Sequence, residues 1–132
     1  MLERPVVIDH VDVRVRDLDA SRRFFTAALA PLGFRLLYEA NGRVAFGVER
    51  ADDFGISQSD APTGHLNLAF AAPSTAAVDA FHHAALAAGG RDHGAPGYRP
   101  HYHPGYYGAF VLDLEGNNIE AVFHDASRRG SA

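Results

Sequence analysis

Residues 8–15 read IDHVDVRV, an apolar strand interrupted by one histidine. Because successive side chains of a strand point to opposite faces, the three valines share one face, which the pattern predicts to face the core. The opposite face carries His10, Asp12 and Arg14. That polar face either meets solvent or lines a cavity, and the strand alone does not decide between the two.

The composition is that of one soluble globular domain. The chain has 132 residues, of which 47% are hydrophobic and 21% are charged, and this is enough for a single core. A net charge of -4 argues against nucleic acid or an anionic membrane as a partner. No apolar run approaches the roughly 20 residues that a membrane-spanning helix needs.

Two missing residue types exclude whole classes of chemistry. The absence of cysteine excludes disulfides, thiolate nucleophiles and cysteine metal sites, and the absence of lysine excludes a Schiff base or a P-loop. The N-terminal stretch MLERPVV lacks the basic flank and long apolar core of a signal peptide. These features suit a cytoplasmic protein, which is the expected localisation.

The chain repeats one order of elements. A first unit, at about residues 5–60, reads as strand, helix and three strands. A second unit, at about residues 62–125, reads the same way, with a longer loop-rich segment before its last hairpin. His10 and His65 stand 55 positions apart at the same place in the two units. Two copies are too few for a solenoid, so the repeat predicts a pseudo-twofold pair of βαβββ units.

The predicted fold is therefore α+β, with the two units forming one cupped mixed sheet and the helices on its outside. It occupies a single domain over residues 1–132, in which the polar tail at 126–132 is expected to fray. Asp17 or Asp19 is expected to cap the first helix, and Ser74 to cap the second.

The last strand supplies a third candidate ligand. Glu120 alternates with the apolar residues of that strand and is predicted to face the same side as His10 and His65. Two histidines and one carboxylate from three strands match a facial triad for a divalent metal, with positions open for water and substrate. Zinc, manganese, nickel and ferrous iron all remain possible. Ser57 is the counterpart of Glu120 in the first unit and is a poor ligand, so that position is expected to be open or filled by water.

Three stretches carry a family resemblance. DHVDVRVRDLDASRRFFTAALAPLGF at 9–34, GHLNLAF at 64–70 and YYGAFVLDLEGNNIEAVFH at 106–124 together resemble the vicinal oxygen chelate superfamily. This is the group of glyoxalases, bleomycin-resistance proteins and extradiol dioxygenases. The most specific part is a hairpin written D-P-D-G-N-x-x-E in the family, which stands at 113–120 as DLEGNNIE, without the proline.

The resemblance implies a metal held by His10, His65 and Glu120, a small-molecule substrate and a homodimer. Glyoxalase I and methylmalonyl-CoA epimerase carry a further ligand or base on the fourth strand. Ser57 occupies that position here, which argues against both of these activities.

The loop HYHPGYY at 101–107 precedes the seventh strand, where the family places a flap over the metal. Its histidines and tyrosines could serve as general acid or base, or the loop could only cover the open end of the sheet. Phe46 and Phe110 are predicted to share the cavity-side face, although both could be ordinary core residues. The candidate catalytic residues are Glu120, Tyr102 and His103, and the candidate pocket residues are Phe46, Ser57, Asn67, Tyr106 and Phe110.

Other polar residues have plainer interpretations. Asp12 could orient a ligand imidazole, but a salt bridge with Arg14 is the preferred interpretation. His82 and His83 on the second helix are expected to be solvated, and His124 at the end of the last strand is expected to be structural or exposed.

Two functions fit the pattern. The first is a metalloenzyme of the lyase, isomerase, thiol transferase or dioxygenase type, acting on a molecule with neighbouring oxygens. The second is a module of the bleomycin-resistance kind that sequesters a planar ligand without chemistry. Two histidines and a carboxylate at ligand positions favour the first.

Overall fold

The fold consists of two copies of the same four-stranded sheet. The structure, a computed structural model, describes residues 8–49 and 51–128, so the N-terminal stretch 1–7 and the tail 129–132 lie outside the described residues. In chain order the elements are β1 (Val11–Val15), α1 (Leu18–Leu29), β2 (Arg35–Ala40), β3 (Arg43–Val48), β4 (Ala51–Gln58), β5 (Asn67–Ala71), α2 (Thr75–Ala87), β6 (Arg91–Tyr98), β7 (Tyr106–Leu112) and β8 (Asn118–His124), with short 3-10 turns at Ala30–Leu32 and Ala126–Arg128.

The strand orders are β1-β4-β3-β2 and β5-β8-β7-β6, which are the same order in both units. In each sheet the first strand pairs in parallel with the fourth and the other pairs are antiparallel. This confirms the predicted α+β fold and its internal repeat. The two units form separate four-stranded sheets, in which β1 and β5 are the equivalent edge strands.

Both helices begin where their caps predict. Asp17, not Asp19, caps α1, since its side chain accepts a hydrogen bond from the backbone N–H of Ala20 at 3.0 Å. Asp19 instead pairs with arginines one turn further along. Ser74 caps α2 by accepting from Ala77 at 3.1 Å. No helix within residues 8–49 and 51–128 is long and apolar enough to cross a membrane.

One hydrophobic core joins the two units, with α1 and α2 packed against each other. Phe70 of β5 makes edge contacts with Phe54 of β4 at 5.4 Å between ring centroids and with Phe34 at 5.2 Å. Phe54 in turn meets Phe25 of α1 at 4.9 Å. The apolar face of each sheet is therefore buried within the same chain.

The prediction that Phe46 lines a cavity is wrong. Phe46 is fully buried in this core, with its ring centroid 6.0 Å from that of Phe54. The prediction equated Phe46 with Phe110 across the repeat, but strand register equates Phe110 with Arg43. Arg43 pairs with Ser57 as Phe110 pairs with Glu120. The assumed and observed offsets differ by an odd number of residues, which moves the side chain to the opposite face.

Candidate functional site

An open cleft of about 380 Å³ lies on the second sheet, on the face opposite the core. Parallel pairing of β5 with β8 places Ala69 beside Glu120, and the small alanine side chain leaves room above the sheet. The cleft brings together four of the predicted site residues. Its lining consists of Asn67, Ala69, Tyr102, Tyr106 and Glu120.

Glu120 is held at the base of this cleft. Its side chain is buried, with 8% of the residue exposed. Oε1 accepts a hydrogen bond from the Tyr106 hydroxyl at 3.0 Å, and Oε2 accepts one from the Asn118 amide at 2.8 Å. Burial and the bond to Glu120 raise the pKa of Tyr106 to about 12. Tyr106 therefore keeps its proton near neutral pH and acts as a donor to the carboxylate.

The loop before β7 and the first residue of that strand border the cleft through Tyr102 and Tyr106. Tyr102 is half exposed and its ring lies 4.8 Å from that of Tyr106. Nδ1 of His103 meets the Pro104 carbonyl at 2.8 Å, and its Nε2 meets Nδ1 of His124 at 3.1 Å. Tyr102 thus contributes to the cleft wall, whereas His103 is not a lining residue and packs its ring against Tyr106, with 5.4 Å between the ring centroids.

Phe110 shares the face of Glu120 and is covered by an arginine. The guanidinium of Arg99 lies 4.4 Å from the Phe110 ring centroid. Arg99 also donates to the backbone carbonyls of Ala95 at 2.8 Å and Gly97 at 3.0 Å, and to that of Gly108. Its position in the loop-rich segment gave no sequence signal for this clamp, which joins β6 to β7.

The first sheet carries His10 on its own polar face. His10 is exposed, and its Nδ1 bonds the Asp9 carboxylate at 2.7 Å, which raises the pKa of the imidazole. Asp12 does not pair with Arg14 as predicted. Its partner is Arg43, whose Nε and Nη2 lie 2.8 and 2.7 Å from the Asp12 carboxylate. The β1–β4–β3 order explains this, since Arg43 points to Asp12 across the intervening strand.

His65 and Ser57 do not reach the cleft lining. His65 precedes β5 in a bend with φ of 55°, and its side chain is exposed. Ser57 lies on β4, opposite Arg14 and Arg43. Within residues 8–49 and 51–128, no three or more histidine, aspartate or glutamate side chains form a group that could hold a metal ion. A single chain therefore does not gather His10, His65 and Glu120.

Two residues beside Glu120 had not been assigned a role from the sequence. Asn118 shares a face with Glu120 by the two-residue period and bonds it directly. His93 bonds Asn118, with 3.0 Å between Nδ1 and Oδ1. His93 gives no signal in the sequence because it lies in the loop-rich segment, where no alternation marks the face to which a side chain belongs.

Comparisons with known proteins agree with the fold. The model of the Glyoxalase/Bleomycin resistance protein/Dioxygenase superfamily matches residues 7–121. No curated protein matches the chain.

Among solved structures, a glyoxalase/bleomycin resistance protein from Albidiferax ferrireducens T118 is 34% identical, with a TM-score of 0.76 over 87% of this chain and 96% of that one. A glyoxalase/bleomycin resistance protein/dioxygenase family enzyme from Burkholderia phytofirmans PsJN is 22% identical, with a TM-score of 0.69 over 90% and 99% of the two chains. A glyoxalase-related enzyme from Fulvimarina pelagi is 20% identical, with a TM-score of 0.65 over 89% and 87%. The chain belongs to the glyoxalase/bleomycin resistance protein/dioxygenase superfamily.

Proposed function

We propose that the protein is a metal-dependent enzyme that acts, as a homodimer, on a small molecule with neighbouring oxygens. The observation that carries the proposal is the carboxylate of Glu120, which is buried, held by two donors and open to a cleft of substrate size. A carboxylate held in this way is ready to bind a cation without rearranging its own hydrogen bonds.

The donor set fits a divalent ion. A carboxylate only accepts hydrogen bonds, so the bond to Asp9 places the proton of neutral His10 on Nδ1 and leaves Nε2 as the ligand atom. His65 is exposed, and the side chain of Glu120 lines the cleft. A metal held by His10, His65 and Glu120 would supply Lewis-acid polarisation of the substrate's neighbouring oxygens.

The exposure of these residues supports the proposal of a homodimer. His10, His65 and Asn67 are all exposed, and the core already uses the opposite face of both sheets. β1 and β5 each have a strand partner on one side only. Placing β1 of one protomer beside β5 of its partner would bring His10 of the first to Glu120 of the second. The triad is then completed between protomers and occurs twice per dimer.

The remaining cleft residues act on the substrate. The Tyr106 hydroxyl keeps one carboxylate oxygen of Glu120 occupied. Asn67 and Tyr102 line the opening and can hydrogen-bond to substrate oxygens.

The test uses complementation between two variants, each of which lacks one proposed metal ligand. His10→Ala and Glu120→Gln are purified without a histidine tag, and Mn²⁺ binding is measured by calorimetry on each, on their mixture after subunit exchange, and on the unaltered protein. Each variant alone should bind no Mn²⁺. A mixed dimer has one site with both His10 and Glu120, so random exchange should restore about a quarter of the sites.

Three results would count against the proposal. Sedimentation of the unaltered protein as a monomer at high micromolar concentration would refute the dimer. Metal binding without recovery in the mixture would refute assembly between protomers. Absence of any bound metal in the unaltered protein would refute metal dependence and favour a ligand-sequestering module.

A further inference from the structure

A hydrogen-bonded chain crosses three strands of the second sheet and ends at Glu120. It begins at His93 on β6, whose Nδ1 lies 3.0 Å from Oδ1 of Asn118 on β8. The amide nitrogen of Asn118 then meets Oε2 of Glu120 at 2.8 Å and Oδ1 of Asn67 on β5. The strand order β5-β8-β7-β6 makes this a contact between residues distant in sequence.

The hydrogen bonds from His93 to Glu120 all run in one direction, from donor to acceptor. An asparagine amide has two N–H donors and one carbonyl acceptor. Both partners on the nitrogen side of Asn118 are oxygens, so its Nδ2 faces Glu120 and Asn67 and its Oδ1 faces His93. His93 must then be the donor, and its proton must lie on Nδ1. If the only proton were on Nε2, Nδ1 of His93 and Oδ1 of Asn118 would be two acceptors in contact. That contact would favour a flipped amide, in which the nitrogen and the oxygen of the Asn118 side chain exchange places.

A flipped amide would place the Asn118 carbonyl oxygen against the carboxylate of Glu120. That contact is repulsive, and it would push Glu120 out of the orientation that Tyr106 also supports. The side chain of His93 is exposed, and the backbone of β6 is held by its pairing with β7. Its effect is therefore expected at Glu120 more than on the stability of the fold.

We propose that His93 is a positioning residue that fixes the amide of Asn118 and, through it, the carboxylate of Glu120. The consequence for metal binding rests on the proposed function, but the hydrogen-bonded chain does not. The two are separable by experiment.

The first measurement is the tautomer of His93, from long-range ¹H–¹⁵N NMR at a pH of about 8.5, where histidines in general are neutral. We expect the Nδ1–H form in the unaltered, metal-free protein. In His93→Ala, the Asn118 side-chain N–H₂ resonances should shift and broaden. An Nε2–H tautomer, or Asn118 resonances unchanged in His93→Ala, would overturn the proposal whether or not the protein binds metal.

The second measurement is Mn²⁺ affinity. His93→Ala should weaken binding about tenfold, in the range found when a partner of a metal ligand is removed. His93→Asn places an amide nitrogen near the position of Nδ1 and should recover most of the loss. His83→Ala, at an exposed position of α2, is the matched control and should bind as the unaltered protein does.

The outcomes separate the two claims. Equal affinity for His93→Ala and His83→Ala would overturn the positioning role. If the unaltered protein binds no Mn²⁺, the proposed function fails, and the NMR result alone decides whether His93 orients Asn118. Thermal unfolding midpoints of all variants should agree closely, which excludes a general loss of folding.

Discussion

Replacing Asn117 with alanine should be among the most damaging single changes in the last hairpin. Asn117 is fully buried in the turn between β7 and β8. Its Oδ1 accepts from the backbone N–H of Leu66 at 2.8 Å, and its Nδ2 donates to the Thr63 carbonyl at 3.3 Å and to Asp113 at 3.4 Å. This side chain ties the hairpin to the segment that leads into β5 and carries His65.

The size of the effect follows from these three bonds. Alanine leaves the partly buried Leu66 N–H and Thr63 carbonyl without this partner, and each such loss costs about 1–3 kcal/mol. Two of the three bonds are long and therefore weak, so about 3 kcal/mol is expected in total. With an unfolding entropy of about 2.1 cal/mol/K per residue, a chain of this length should lose about 11 °C in Tm.

Urea and thermal unfolding followed by circular dichroism measure this loss. Leu114→Ala is the matched control, since it lies in the same turn with 42% of the residue exposed. It should change the free energy of unfolding by less than about 1 kcal/mol. A loss in Asn117→Ala no larger than that of the control would refute the reasoning.

Three further predictions each test the role of one residue. Burial raises the pKa of Asp113, so the folded protein binds a proton at this carboxyl more tightly than the unfolded chain does. The unfolding free energy of the unaltered protein relative to Asp113→Asn should therefore rise as the pH falls from about 6 towards 4. The opposite slope in urea titrations would contradict this. The hydrogen bond to Asp79, at 2.6 Å, and burial raise the pKa of Tyr107 to about 12. Tyr107→Phe should therefore remove one high-pH step from the ultraviolet titration and lower the free energy of unfolding by about 1 kcal/mol. An unchanged titration would exclude the assignment of that step to Tyr107. Ser57→Glu adds a carboxylate to the face that carries His10 and, in the proposed dimer, should tighten Mn²⁺ binding. Lowered stability with unchanged affinity would show that Ser57 lies away from the metal.

The order of elements could be predicted from sequence because it depends on local patterns. Alternation marks most strands, and the capping residues Asp17 and Ser74 mark both helix starts. The repeat predicts a strand in the place of β6 but not its bounds, because Gly94, Pro96 and Gly97 interrupt its alternation and its pairing with β7 shifts register near those glycines. A strand of this kind is defined by its neighbour more than by its own side chains.

The site was predicted in part for the same reason. The strand period puts Glu120 and Asn67 on one face, the family resemblance brings in Tyr106 through the loop before β7, and all three line the cleft. His65 does not share this face, because the bend before β5, with φ of 55°, takes it out of the strand period. The His93–Asn118 bond depends on the order of strands in the sheet, which no local pattern contains.

The repeat also shows what internal symmetry can and cannot specify. It identifies His10 and His65 as counterparts and predicts that they approach a twofold axis. Within one chain, however, the units are joined through their apolar faces, where Phe54 meets Phe70 and the two helices touch. The same packing leaves the polar faces open to solvent. Because a dimer axis can relate β1 of one protomer to β5 of the other, equivalent residues can meet between chains when they do not meet within one. Sequence symmetry therefore identifies which residues are counterparts, and the packing of the apolar faces decides which surfaces of the two sheets stay exposed.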